Sequence, residues 1–229
     1  MSSFRSRKWR WVRRIGDIFG LHLIPKKFIG EYGEVNWNGL YDRERYAAVQ
    51  RAASAAKYDM VWAKKDSCRE IVSVIDDLQY SYESLLCHGV RNGAELDYFR
   101  EFGVSQVLGT DLFVPATEIT RKDIVEHDFG EVNPAWLGKF DCVYSNSFDH
   151  ARNPVETIKM WTNQVKPTGC VLLEMDKSHG VSGSSDLDVV GFPLNTFPFW
   201  LLRESKNKIY LDSIHDLPRG RLLLIVKKK

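Results

Sequence analysis

Glycine-rich, acidic and polar segments follow short apolar runs between residues 84 and 175, each directly where a run ends. The first segment begins at Cys87 and His88, contains Gly89 and Gly93 four residues apart, and leads into a helix-like stretch. Glycine allows positive φ and the close approach of a ligand, and the start of a helix offers free N–H groups. The turn therefore suits a nucleotide, although the same turn is common for purely structural reasons.

An acidic residue follows the next apolar run. Asp111, with Leu112 after it, lies 18 residues beyond Gly93, near the spacing at which a carboxylate accepts hydrogen bonds from ribose hydroxyls. The third run is followed by Asp128 and Phe129, where a carboxylate accepts a hydrogen bond from an adenine amino group and an aromatic ring lies on the base. These two neighbouring segments favour a nucleoside ligand.

A polar cluster ends the fourth run, from Ser145 to His150, and includes Asn146, Ser147 and Asp149. Each of these residues alone is more typical of a solvated loop or a helix cap than of a binding site. In an open α/β sheet, however, ligands bind beyond the carboxyl ends of the strands. Polar segments at successive strand ends therefore favour one shared site.

The elements that position these segments alternate between strand-like and helix-like patterns. This alternation predicts a parallel sheet with crossover helices. Two final strand-like runs, separated by a turn that contains Pro218 and Gly220, predict an antiparallel pair that closes the sheet. The predicted strands cover residues 85–87, 104–108, 124–125, 140–144, 170–175, 208–212 and 221–227, and the helices between them cover 94–102 and 155–165.

Three further helices are predicted before the sheet. Residues 4–24 form a basic amphipathic helix, because their apolar residues follow a helical period and most arginines fall on the other face. Alanines favour a helix at 43–57. The apolar spacing predicts another helix at 66–78, with Asp66 as its N-cap.

Composition excludes several classes of protein. The chain has 229 residues, of which 44% are hydrophobic and 27% are charged, so collagen-like and wholly disordered chains are excluded. No run approaches the roughly 20 apolar residues of a membrane span, and the first apolar segment is too interrupted for a signal peptide. The four cysteines contain no C-x-x-C pair, which predicts buried free thiols in a reducing cytoplasm.

The net charge of +2 conceals a strong asymmetry, because residues 1–27 carry +7, the last three lysines carry +3 and the rest of the chain carries −8. Three interpretations of the basic helix stay open: packing on the core, contact with anionic lipid, and contact with the phosphates of a nucleic acid. Tryptophans among arginines suit the headgroup region of a membrane. We therefore expect a cytoplasmic protein with a peripheral membrane contact through residues 4–24.

Residues 84–175 resemble the core of the class I S-adenosylmethionine-dependent methyltransferases. The turn from Gly89 to Gly93 takes the place of the glycine-rich first motif, Asp111 matches the ribose-binding acid, and residues 166–174 are similar to the turn "LKPGG" that opens the fifth strand. The resemblance implies an α/β fold with a Rossmann-like, doubly wound sheet of about seven strands, mostly parallel with an antiparallel C-terminal pair. It also implies S-adenosylmethionine as cofactor. The cofactor-binding residues that it implies are Cys87, His88, Gly89, Arg91, Gly93, Asp111, Leu112, Asp128, Phe129, Asn146 and Ser147.

The first motif departs from the family pattern at two positions. Cys87 stands where the family has an acidic residue, and Arg91 stands where it has a glycine. Arg91 either points away from the cofactor or pairs with its carboxylate through the guanidinium fork. We expect residues 1–58 to form a helical extension and residues 59–229 to form the methyltransferase domain. The variant motif also suits a protein of this fold that has lost catalysis and acts as a binding or assembly subunit, on RNA or on a membrane.

Methyl transfer requires an aligned acceptor and, when the acceptor is a hydroxyl, a base. Histidine exchanges protons near neutral pH, so His150 is the preferred base, with Asp149 beside it. The alternative is that His150 anchors its loop by a hydrogen bond. Residues 176–200 combine a polar stretch with aromatic residues, which predicts a lid over a small-molecule or glycan acceptor. A metal site in this segment is not favoured, because its carboxylates and histidine are irregularly spaced.

Overall fold

A seven-stranded sheet forms the centre of the protein, in a computed structural model that describes residues 43–114, 121, 123–176, 191 and 196–229. The strands are β1 (Ser84–His88), β2 (Gln106–Asp111), β3 (Ile124–Glu126), β4 (Phe140–Ser145), β5 (Val165–Asp176), β6 (Ile209–Leu217) and β7 (Arg221–Lys228). Across the sheet they follow the order β3-β2-β1-β4-β5-β7-β6.

The first five strands are parallel, and the last two close the sheet in antiparallel pairing. β1 pairs in parallel with both β2 and β4, whereas β7 pairs antiparallel with both β5 and β6. β1 and β4 are parallel, so the loops that follow them leave from the same edge of the sheet. Because the strand order reverses between them, these loops lead to helices on opposite faces. Sheets of this kind bind ligands at that switch point. The predicted fold class is confirmed, including the antiparallel pair at the C-terminus.

Five α-helices accompany the sheet in the described part of the chain. They are α1 (Arg43–Ala56), α2 (Lys65–Asp77), α3 (Ala94–Glu101), α4 (Pro154–Gln164) and α5 (Phe197–Glu204). The bounds of α1 to α4 agree with the predicted helices to within one residue at each end. The sequence analysis therefore located these four helices correctly.

Helix α5 carries Phe197, Phe199 and Trp200, and it corrects the expectation that Phe197 and Trp200 help to cover the acceptor. Phe197 and Trp200 are both 0% exposed and stack with ring centroids 5.7 Å apart. Leu201 is buried beside them, because residues three and four apart share one face of a helix. These side chains belong to the core, and only Phe199 of this group is exposed.

The N-cap of α2 is Lys64, and not the predicted Asp66. Lys64 has the extended backbone of a cap residue, whereas Asp66 lies inside the first helical turn. There its carboxylate accepts a hydrogen bond from the backbone N–H of Ser67 at 3.2 Å and contacts Arg219 Nε at 3.1 Å. An acid in the first turn still interacts favourably with the helix dipole, so the sequence signal located the helix start without identifying its cap.

Two cores lie on opposite faces of the sheet because successive side chains of a strand point to opposite sides. On one face Val143 packs with Trp161 of α4 and Trp200 of α5. On the other face Cys87 and Tyr144 pack with residues of α2 and α3. All four cysteines are free and buried, as the sequence predicted.

Two predicted segments lie outside the described residues: the basic helix at 4–24 and most of the lid at 176–200. In the part of the chain that is described, no helix is both long and apolar enough to cross a membrane. Contact of the basic helix with lipid or nucleic acid, and the cytoplasmic location, stay predictions.

Candidate functional site

A cavity of about 350 Å³ lies at the carboxyl edge of the sheet, a size typical of small-ligand sites. Its walls come from the loops after β1, β2, β3 and β4, from the end of β5, and from α1 with the residues that follow it. Nine predicted site residues line it: Gly89, Arg91, Asp111, Leu112, Phe129, Asn146, Ser147, Asp149 and His150. The structure therefore brings together residues from four separate strand ends.

The turn after β1 is held against the neighbouring strands by its backbone. Gly89 N–H donates to Thr110 O at 2.8 Å, and Arg91 N–H donates to Asp111 Oδ2 at 2.8 Å. Gly89 has a φ of 77°, and a Cβ there would lie 2.8 Å from Ser147 Cβ, so the loop after β4 requires glycine at this position. Arg91 also has a positive φ, 48°. The turn thus keeps a glycine-like backbone at the position where the family has glycine.

The Asp111 carboxylate, at the end of β2, accepts three hydrogen bonds. The donors are Arg91 N–H at 2.8 Å, Phe113 N–H at 3.1 Å and Ser54 Oγ at 3.2 Å. Burial raises the pKa of Asp111 above its ordinary value, although these hydrogen bonds oppose the shift. A carboxylate has about four acceptor positions, so one is left for a ligand hydroxyl. A second becomes available when Ser54 moves away.

The side chains of Cys87 and His88 do not line the cavity. Cys87 lies in the core beside α2 and α3, where burial raises the pKa of its thiol. His88 is hydrogen-bonded to Thr110 Oγ1 at 2.8 Å and Gln164 Oε1 at 2.9 Å, and it stacks on Trp161. Burial lowers the pKa of His88 to about 3, so its imidazole is neutral. Both predicted residues support the strand that carries the turn.

Gly93 and Asp128 also lie outside the cavity lining. Gly93 is the N-cap of α3, with a φ of 72° that favours glycine. The Asp128 carboxylate accepts a hydrogen bond from Gly130 N–H at 2.8 Å and so stabilises its own turn. Phe129, the next residue, does line the cavity and packs edge-on against Trp161 at 5.4 Å. The predicted adenine-side segment therefore contributes its aromatic ring to the cavity, while its carboxylate shapes the loop.

Asp149 and His150 reach the cavity on a single 3-10 turn, Phe148–His150. The first residue of the turn, Phe148, is 2% exposed and packs against Trp161. The backbone carbonyl of His150 accepts a hydrogen bond from the Tyr46 hydroxyl of α1. The turn is therefore fixed on one side by the core and on the other by α1.

Helix α1 forms part of the cavity wall. Besides its contacts through Tyr46 and Ser54, it places Arg51, whose Nε donates to Leu112 O at 3.1 Å and whose guanidinium contacts Glu126 Oε1 at 3.5 Å. The sequence analysis assigned this helix to the extension at 1–58. That division stays a prediction, and the contacts add α1 to the residues that shape the site.

Two buried acids that the sequence analysis did not identify also line the cavity. They are Glu95, in the first turn of α3, and Glu174, in β5. Glu174 accepts a hydrogen bond from the Tyr144 hydroxyl and contacts Arg221 Nε at 2.8 Å. Glu95 is 4% exposed, and burial raises its pKa to about 8. A charged residue within an apolar strand was the available signal for Glu174. Glu95 had none, because acids are common in first helical turns.

No family model matches the sequence, and no curated protein matches it. Solved structures do match the fold. The 1,6-didemethyltoxoflavin-N1-methyltransferase of Burkholderia thailandensis, with bound 1,6-didemethyltoxoflavin and S-adenosylhomocysteine, has a TM-score of 0.62 at 17% identity, covering 86% of this chain and 94% of that one. The plantazolicin methyltransferase BpumL, in complex with SAH, has a TM-score of 0.58 at 12% identity, covering 83% and 92%.

A third solved structure, the sugar N-methyltransferase KedS8 from Streptoalloteichus sp ATCC 53650, has a TM-score of 0.56 at 13% identity, covering 78% of this chain and 92% of that one. Because these three proteins share little sequence with this chain, the similarity concerns architecture. The chain has the fold of the class I S-adenosylmethionine-dependent methyltransferases.

Proposed function

We propose that the protein is an S-adenosylmethionine-dependent methyltransferase that transfers a methyl group to an oxygen of a small-molecule or glycan acceptor. The observation that carries the proposal is the convergence of Asp111, the Gly89 turn and the His150 turn on one cavity. The three come from three different strand ends at the switch point of the sheet, where α/β folds bind nucleotide cofactors. Methyltransferases of similar fold, one of them a sugar N-methyltransferase, support methyl transfer to a small-molecule or glycan acceptor, and the choice of oxygen rests on the proposed base His150.

The cavity residues fit S-adenosylmethionine. Asp111 keeps one acceptor position for a ribose hydroxyl, Leu112 and Phe129 offer apolar surface to an adenine ring, and the turn at Gly89 permits close approach of the chain. When bound, the cofactor supplies a methyl group on a positively charged sulfur. The carboxylates that line the cavity suit that charge.

The remaining chemical task is to align the acceptor and to remove its proton. We assign proton acceptance to His150, whose position is held by the buried Phe148 and by the hydrogen bond from Tyr46. Asp149 lies beside it on the same turn and lines the same cavity. The His150 imidazole would accept the proton of the acceptor hydroxyl while the hydroxyl oxygen replaces sulfur on the methyl carbon, and the sulfur would leave as the neutral thioether of S-adenosylhomocysteine.

Calorimetric titration with S-adenosylmethionine and S-adenosylhomocysteine tests the cofactor assignment. We expect saturable binding to the wild-type protein and about 10- to 100-fold weaker binding to Asp111→Ala, because a hydrogen bond to a charged group contributes about 1.5–3 kcal/mol. Asp97→Asn on the exposed side of α3 is the control, and circular dichroism verifies folding. No heat and no thermal shift at millimolar ligand would refute the assignment. Undiminished affinity in Asp111→Ala would refute the placement of the ribose.

Two observations favour a second candidate, a catalytically inactive protein of this fold that serves as a binding or assembly subunit. Ser54 uses one acceptor position of Asp111, and Arg91 stands in place of a glycine beside it. The same titration separates the two functions, because only the enzyme requires the cofactor. Contact of residues 4–24 with RNA or an anionic membrane is a prediction that goes with either function.

A further inference from the structure

Glu95 differs from the other buried acids that line the cavity. Asp111 accepts hydrogen bonds from three other residues, and Glu174 has Tyr144 and Arg221 as partners. The Glu95 carboxylate accepts a hydrogen bond from its own backbone N–H, and no other described residue donates to it. A buried ionised carboxylate without partners is strongly unfavourable. Glu95 therefore lacks hydrogen-bond donors from other described residues that would stabilise its charged form.

Arg91 also lines the cavity, and its guanidinium has an N–H donor without a partner among the described residues. Its Nε is buried and has no hydrogen-bond partner among the described residues, and Nη1 reaches only the carbonyl of Met60 at 3.5 Å. Glu95 and Arg91 line the same cavity. The structure thus places a carboxyl group and a guanidinium, each with unused hydrogen-bonding capacity, in the wall of one cavity.

This pair lies where the first motif departs from the family pattern. Cys87 replaces the usual acid and is directed into the core, so it offers no charge to a ligand. Glu95 follows eight residues later, in the helix that the turn leads into. Arg91 replaces a glycine in the same turn. An acid has therefore been lost from the strand, while another acid and a guanidinium line the cavity nearby.

We propose that Glu95 and Arg91 bind the amino-acid end of S-adenosylmethionine, Glu95 taking the α-ammonium group and Arg91 the α-carboxylate. The inference rests on the proposed function. An α-amino acid carries both charges on one carbon, so a carboxyl group and a guanidinium in the wall of one cavity suit it. The guanidinium fork matches a carboxylate, and the ammonium group supplies N–H donors and a positive charge to Glu95. In this chain the acid for the ammonium group is Glu95 of helix α3, because strand β1 carries Cys87 in place of an acid.

Two probes that differ only at the amino-acid end test the proposal. S-Adenosylhomocysteine carries that end, and 5′-methylthioadenosine lacks it. We expect the Glu95→Gln variant to bind S-adenosylhomocysteine about 10- to 100-fold more weakly, as for the loss of a charged hydrogen bond. Its affinity for 5′-methylthioadenosine should equal that of the wild type. Asp97→Asn, two residues further along the same helix, should bind both probes like the wild type.

Proton release provides a second readout. Glu95 is protonated in the free protein at pH 7, because burial raises its pKa to about 8, and an ammonium group favours the ionised form. We expect binding of S-adenosylhomocysteine at pH 7 to release close to one proton, measured by calorimetry in buffers of different ionisation enthalpy. Glu95→Gln should release none. The titratable groups that interact with Glu95 are Cys68 on α2, Cys87 on β1, Arg91, Asp111 on β2, Tyr144 on β4 and Glu174 on β5.

The outcomes separate this proposal from the proposed function. If Glu95→Gln binds both probes like the wild type, or loses affinity for both equally, Glu95 does not recognise the amino-acid end. If S-adenosylhomocysteine loses affinity without a change in proton release, Glu95 does not supply the charge. Binding of neither probe to the wild-type protein would overturn the proposed function itself. Glutamine resembles the neutral acid in shape, so the variant is expected to fold.

Discussion

His150 occupies a turn that leaves its side chain little freedom of position. Phe148 is packed in the core on one side, and the carbonyl of His150 accepts the Tyr46 hydroxyl on the other. Because that second contact uses the backbone, it would persist without the imidazole. The hydrogen bond from Tyr46 therefore does not require a histidine at this position.

We expect His150→Gln to lower kcat by about 100- to 10,000-fold, the usual contribution of a general base, and to leave the affinity for S-adenosylhomocysteine unchanged. Glutamine can form hydrogen bonds but does not accept a proton at neutral pH. Turnover of S-adenosylmethionine would be measured with an acceptor found by screening monosaccharides and other small hydroxyl compounds. Unchanged kcat would assign His150 to holding the loop.

At the scale of elements, helix α1 controls access to the Asp111 carboxylate. Ser54 donates to Asp111 Oδ1 and so occupies an acceptor position that the second ribose hydroxyl would need. We expect Ser54→Ala to bind S-adenosylhomocysteine about two- to tenfold more tightly, because a competing hydrogen bond worth about 0.5–1.5 kcal/mol is removed. Calorimetric titration measures the change. Weaker binding would show instead that Ser54 assists the bound ligand.

The elements differ in how far the sequence could predict them. Alternation of apolar runs and helical periods defined the sheet and α1 to α4, because local patterning and burial agree there. The burial of Glu95 was not predictable, since it arises from packing between α3 and strands distant in the chain. The core role of Phe197 and Trp200 was missed for the same reason. Asp66 shows that a first-turn acid and a cap look alike in sequence.

The sequence predicted which residues lie at the strand ends around the cavity. It did not predict which of these side chains point into the cavity and which point into a core. Asp111 and His150 were found because they follow apolar runs. Cys87 and His88 also end such a run, but they precede the turn, so the alternation of the strand directs their side chains into the two cores. Ser54 reaches the site from a helix in a part of the chain that no motif links to it.

For the molecule as a whole, two buried groups make the free energy of unfolding depend on pH with opposite signs. Burial lowers the pKa of His88 from 6.5 to about 3. The unfolded chain therefore binds this proton at a higher pH than the folded protein does, and stability falls as the pH drops below 6.5. Burial raises the pKa of Glu95 from 4.5 to about 8. The folded protein therefore keeps this proton to a higher pH than the unfolded chain does, and stability falls as the pH rises through 8. Between 4.5 and 6.5 the two effects oppose each other.

Between pH 6.5 and pH 8, Glu95 is the group of this pair that still changes the free energy of unfolding. We expect the wild-type protein to lose about 1.5 kcal/mol more than Glu95→Gln over this interval, since each pKa unit corresponds to about 1.4 kcal/mol. Urea unfolding followed by circular dichroism at both pH values measures the difference, with Asp97→Asn as control. Parallel pH dependences in wild type and Glu95→Gln would contradict the buried, protonated acid. With S-adenosylhomocysteine bound, the ammonium group should hold Glu95 ionised, so stabilisation by this ligand should grow as the pH rises through the same interval.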